Sequence, residues 1–69
     1  MPRAERLFRI VAILHREKMA TGEALAEIFS VSLRTIYRDI RTLNEAGIPI
    51  RGEAGVGYRF GPSKNIFPL

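Results

Sequence analysis

Sixty-nine residues with 46% hydrophobic content and no cysteine admit one small domain with a periodic apolar core, and exclude disulfides and thiolate metal sites. The single histidine, His15, has no second histidine or cysteine with which to share a zinc ion, and no apolar run nears the roughly 18 residues of a membrane span. No leader pattern opens the chain, so a reducing cytoplasm is the expected setting.

Eleven Lys+Arg against seven Asp+Glu give a net charge of +4 and a pI near 10.4, and the excess is unevenly placed. Residues 1–29 hold five basic and four acidic side chains, net +1. Residues 30–69 hold six basic (Arg34, Arg38, Arg41, Arg51, Arg59, Lys64) and three acidic (Asp39, Glu45, Glu53), net +3. Such a balance suits a nucleic acid or an acidic surface without choosing between them.

Residues 3–17 read as a helix, with Leu7, Ile10, Val11 and Leu14 at i, i+3, i+4 and i+7 on one stripe. Phe8 and Ile13 fall off that stripe and add apolar surface beyond what one small core needs. "KMAT" (18–21) is too short for a helix and fits a small strand. Thr21 can cap a second helix over 22–29, whose Leu25, Ile28 and Phe29 are expected to form the buried edge. Only "SVS" separates it from a third helix, capped by Ser32 and running to Ala46, with Gly47 as the left-handed residue just past its end. Ile36, Ile40 and Leu43, joined by Leu33, make its inner face. Arg34, Arg38, Arg41 and Glu45 make the opposite face, flanked by Thr35 and Thr42 on one side and Tyr37 on the other.

After Gly47 the period changes to two: Ile48 and Ile50 point one way, and Tyr58 and Phe60 do the same on the return. Pro49 cannot donate to a strand ladder, which predicts an edge strand. "GEAGVG" forms the hairpin tip, since phosphate-cradling glycine loops open into a helix and none follows here. "GPSKNIFPL" reads as a tail.

Helix, short strand, helix, helix and hairpin, in that order, describe a mainly α domain with a small β wing, a winged helix-turn-helix. In that arrangement the second helix of the pair enters the DNA major groove, N-terminal residues on the base edges. A row of arginines is ordinarily a solvated face. Three on one face, directly after a tight turn and with a single terminal acid, favour a polyanion instead. Arg34, nearest the helix start, suits bidentate contact with guanine. Arg38 and Arg41 suit phosphates as well as bases, Tyr37 suits packing or a backbone contact, and Ser32 caps the helix while placing a hydroxyl near a phosphate. Arg51 and Arg59 flank the hairpin, within reach of DNA backbone or minor groove. Asp39, Glu45 and Glu53 are not arranged for acid–base work, and His15 sits at a helix end. No catalytic constellation, metal site or cofactor is expected, and an enzyme is not. The competing reading is a winged-helix protein-interaction module that does not bind DNA.

"VSLRTIYRDIRTLNEAGIPI" followed by "GVGYRF" resembles the N-terminal DNA-binding domain of the WYL-domain bacterial transcriptional regulators, over residues 4–61 or so. A more distant likeness is to the winged domain of the biotin-operon repressor. The resemblance implies a sequence-specific binder of double-stranded DNA with Ser32, Arg34, Thr35, Tyr37, Arg38 and Arg41 facing the groove. Ser30 stands where a helix-turn-helix normally has glycine, so a left-handed residue there would not come cheaply. Such regulators continue into a larger ligand-sensing domain. The expected division is therefore residues 1–61 as the DNA-binding domain and 62–69 as a tail or the start of a linker, the chain being an excised domain or a small stand-alone regulator. Phe8, Ile13, Ile66, Phe67 and Leu69 together suggest a docking surface for a second copy or the absent domain, or a tail folded over the first helix.

Overall fold

The computed structural model describes residues 1–53 and 56–61, and places three helices before a hairpin: α1 (Arg3–Glu17), α2 (Gly22–Phe29), α3 (Leu33–Glu45), β1 (Ile50–Glu53) and β2 (Gly57–Phe60). Two residues of the hairpin tip (54 and 55) and the tail 62–69, with Lys64, Ile66, Phe67 and Leu69, lie outside the described residues. The strands pair antiparallel with Ile50 opposite Phe60, Arg51 opposite Arg59, Gly52 opposite Tyr58 and Glu53 opposite Gly57. The expected strand at 18–21 reduces to one residue. Ala20 donates its N–H to the Tyr58 carbonyl (3.0 Å) and accepts the Tyr58 N–H (2.7 Å). Gly57 makes this approach possible: its φ is +132°, and a Cβ there would stand 2.9 Å from the Ala20 carbonyl oxygen.

Every element except β2 contributes to the buried cluster: Ile10 and Leu14 from α1, Leu25 from α2, Ile36, Ile40 and Leu43 from α3, and Ile50 from β1. Leu7, Val11, Phe29, Ile48 and Tyr58 pack around it partly buried. Two expectations about apolar residues are corrected. Ile28 is 57% exposed, because it lies about 60° round α2 from Leu25, on the side away from Gly22, Ala26 and Phe29. Ile13 packs against the core, being about 60° round α1 from Ile10. Of the two residues expected to widen the apolar surface of α1, Phe8 is the outward one, 75% exposed.

Thr21 and Ser32 cap as expected: Thr21 Oγ1 accepts the Ala24 N–H (3.0 Å) and Ser32 Oγ accepts the Thr35 N–H (3.1 Å). The two helix ends that face the core close with one hydrogen-bond pattern. At the end of α3 the Ile48 N–H reaches the Leu43 carbonyl and the Gly47 N–H the Asn44 carbonyl, both 3.0 Å, with Gly47 at φ +93°. At the end of α2 the Val31 N–H reaches the Ala26 carbonyl (3.0 Å) and the Ser30 N–H the Glu27 carbonyl (3.2 Å). Here the left-handed residue is Ser30 (φ 54°, ψ 46°). The turn thus adopts positive φ although no glycine is present, because both Schellman hydrogen bonds and the inward placement of Val31 require it.

The one buried charged residue among those described is Asp39, at 1% exposure. Its carboxylate is gripped by the Arg6 guanidinium through Nε to Oδ2 and through Nη2 to Oδ1 (3.1 Å), and Arg3 Nε approaches Oδ1 at 3.4 Å. Arg3 Nη2 also donates to Thr42 Oγ1 (2.6 Å). Donating hydrogen bonds to Asp39 holds the Arg6 guanidinium above its already high ordinary pKa, against the opposing effect of burial.

Asp39→Ala leaves Arg6, whose side chain is 12% exposed, without its partner, and should cost about 3–5 kcal/mol of stability. Combining Arg6→Met with Asp39→Leu removes both charges and should recover most of that loss, measured by urea denaturation. Ser30→Gly relieves the left-handed backbone at the cost of some chain entropy, for a net gain of about 0.5–1 kcal/mol. A lower denaturation midpoint for Ser30→Gly would contradict the assignment of strain to this residue.

Candidate nucleic-acid interface

Heptad spacing sorts the side chains of α3 into pairs at successive positions round its axis. Starting from the wing side, these are Tyr37 with Asn44, Arg34 with Arg41, Arg38 with Glu45, and Thr35 with Thr42. Asp39 and the core stripe complete the circle. Arg34, Arg38 and Arg41 are exposed, and among the described residues none of the three enters an ion pair. No acid lies in the first turn of α3. That turn carries Arg34 instead, an arrangement the helix dipole disfavours and an approaching anion favours.

The hydroxyl of Ser32 is committed to the helix start: it accepts from the Thr35 N–H and donates to Thr35 Oγ1 (3.0 Å). Thr35 is half-buried at that corner. Tyr37 is 51% exposed and stands edge-on to Tyr58, ring centroids 6.4 Å apart and planes at 65°. It is a packing residue on one side and an open phenol on the other. Burial, followed by electrostatic coupling to Tyr37 and Glu23, holds the Tyr58 hydroxyl above the ordinary tyrosine pKa, so it stays neutral.

The wing is attached to α3 by a side-chain amide. Asn44 Oδ1 accepts the Ile50 N–H (2.8 Å) and Asn44 Nδ2 donates to the Ile50 carbonyl (3.1 Å), so the amide acts as a short strand beside β1. Ile50, Phe60, Gly52 and Tyr58 share the face of the hairpin turned to the helices, by the alternation of a paired strand. Arg51 and Arg59 lie directly opposite each other on the other, exposed face. They are not equivalent: Arg59 Nη2 pairs with Glu53 Oε1 at 2.7 Å, whereas Arg51 has no carboxylate partner among the described residues.

The structure thus gathers the residues singled out in the sequence into one arginine-bearing ridge on α3 with the wing along its Tyr37–Asn44 edge. Three polar residues with structural roles did not stand out in sequence: Asn44, Arg3 and Arg6. Asp39 carried a signal, since it lies three residues after Ile36 and four before Leu43, next to the core stripe, where a charge needs a partner.

Residues 6–59 match the family described as HTH domain. The chain belongs to this helix-turn-helix domain family. It is also 51% identical, over 57 residues, to the uncharacterized HTH-type transcriptional regulator YobV of Bacillus subtilis (strain 168). The match takes in 83% of this chain and 18% of that relative, which is several times longer. No solved structure matches. The family and the relative agree with the resemblance to the N-terminal helix-turn-helix of WYL-type regulators drawn from the "RTIYRDI" region. Among the described residues, no helix is long and apolar enough to cross a membrane.

Asn44→Ala removes both hydrogen bonds between α3 and β1, and should cost about 1–3 kcal/mol through the partly buried backbone groups it leaves unpaired. Amide hydrogen exchange should show faster exchange at Ile50 and little change in α1. Equal acceleration in all elements would mean that Asn44 stabilises the domain globally rather than seating the wing.

Proposed function

We propose that the chain is the double-stranded-DNA-binding part of a transcriptional regulator and that it reads sequence with α3 in the major groove, the wing (48–60) lying on backbone or minor groove. Support comes from the helix-turn-helix family and from the name of the YobV relative. The observation that carries the site assignment is the ridge of three exposed guanidiniums, without ion-pair partners among the described residues, beginning in an acid-free first turn of α3. Arg34 is the base-reading residue, suited to the O6 and N7 of guanine. Arg38 and Arg41 contact bases or phosphates, Ser32 and Thr35 hold the helix start against the backbone, and Tyr37 lends its open phenol to a phosphate. On the wing, Arg51 is the stronger phosphate ligand, because Arg59 is shared with Glu53.

Residues 1–61 form the DNA-binding unit in this reading, and 62–69 begin a linker to a ligand-sensing domain. The ridge demands no cofactor and no catalysis. The setting is the cytoplasm, at the nucleoid. Phe8, on the outer side of α1, is the described residue best placed for a second copy or the sensing domain.

Arg34→Ala should cost about 1–3 kcal/mol on the preferred duplex and relax preference at one base pair. Joint replacement of Arg51 and Arg59 with alanine should weaken preferred and unrelated duplexes alike. Binding isotherms against a selected and a scrambled duplex separate the two. A uniform loss for Arg34→Ala would reassign it to the backbone.

A further inference from the structure

A helix lying in the major groove has a sugar–phosphate backbone along each of its two sides, the groove being about 12 Å wide. The wing flanks only the Tyr37–Asn44 edge of α3. The opposite edge, Thr35 and Thr42, is flanked by the first turn of α1. Arg3 reaches across to it, donating to Thr42 Oγ1 at 2.6 Å and approaching Asp39 Oδ1 at 3.4 Å. Its side chain nonetheless stays 53% exposed. Arg3, Arg6, Thr35, Arg38 and Asp39 line one open cleft at this edge.

Charge in the cleft is unbalanced. Arg6 takes both carboxylate oxygens of Asp39, the closer ion pair, and that pair is self-neutralising. Arg3 is therefore a second cation on a carboxylate already matched, and Arg38, one residue before Asp39 on the exposed side, adds a third that has no acid of its own among the described residues. Two positive charges in excess, a half-buried threonine hydroxyl and an open mouth beside the groove-facing ridge suit a phosphodiester.

We propose that Arg3 is a phosphate-binding residue that, with Arg38, clamps the DNA strand on the side of α3 opposite the wing. Thr42 and the Arg6–Asp39 pair are the positioning residues that aim it. This rests on the proposed reading of α3 as the helix in the major groove. It adds the first turn of α1 to the interface and assigns one face of the recognition helix to each DNA strand.

The test is binding by the 69-residue chain of a selected and a scrambled duplex across a salt series. Each phosphate contact carries a slope of about 0.9 in log affinity against log salt, equivalent to about fivefold in affinity near 0.15 M salt. Arg3→Ala should therefore weaken both duplexes by about fivefold and lower the slope by about one, leaving base preference unchanged. Arg3→Lys should keep the slope. Thr42→Val leaves the charge but removes the hydroxyl that holds it, and should keep the slope while losing part of the affinity, a readout that survives if Arg3→Ala folds poorly. If Arg3→Ala keeps wild-type affinity and slope while Arg34→Ala still loses preference, the clamp is wrong and the groove assignment stands. If the unsubstituted chain shows no salt-dependent binding, both fall.

Discussion

The Arg6–Asp39 ion pair is the contact on which the orientation of α3 depends. Aliphatic contacts set how far apart helices lie, but the Ile36–Ile40–Leu43 stripe by itself tolerates some roll of the helix about its axis. A bidentate guanidinium–carboxylate pair is directional in two bonds at once. Placed next to the stripe, it fixes the roll of α3 against α1 and so fixes where Arg34, Arg38 and Arg41 point. Asn44 does the same on the other edge, with two hydrogen bonds to one residue of β1. A helix of 13 residues is thus held by a polar grip on each side of its apolar face.

Neither grip is an economical way to stabilise a small fold. A buried ion pair returns little net free energy after desolvation, and a well-packed hydrophobic pair of similar volume often does as well. Its value here is geometric. The same residues that hold α3 also attach the two elements flanking it, α1 on one side and the wing on the other. The arginine ridge therefore stands at a fixed height and angle relative to both neighbours.

Much of the fold was legible in the sequence because its signals are local. Thr21 and Ser32 announce helix starts, Gly47 announces a helix end, and heptad spacing puts Ile36, Ile40 and Leu43 inside with the three arginines outside. What was not legible depends on partners distant in sequence. Asp39 could be placed near the core from its spacing, but nothing local says that its partners lie 33 and 36 residues earlier in Arg6 and Arg3. Asn44 as a strand mimic is equally invisible, since its role needs the path of β1 to be known. Ser30 misled in the opposite way: residue preference argued against positive φ, and the Schellman hydrogen bonds prevailed. At the candidate interface the exposure of the arginines followed from periodicity, whereas the unequal standing of Arg51 and Arg59 followed from Glu53, two register positions away.

The two hydrogen bonds between Ala20 and Tyr58 join residues 38 positions apart and close the chain from the start of α2 to β2 into a ring. The contacts made inside that ring, between α2 and α3 and within the hairpin, are short-range and can form without it. Joining distant positions carries an entropy cost that rises with loop length and is recovered only when the ring shuts. Assembly therefore has a natural order, with the helix pair first and the closing strand last.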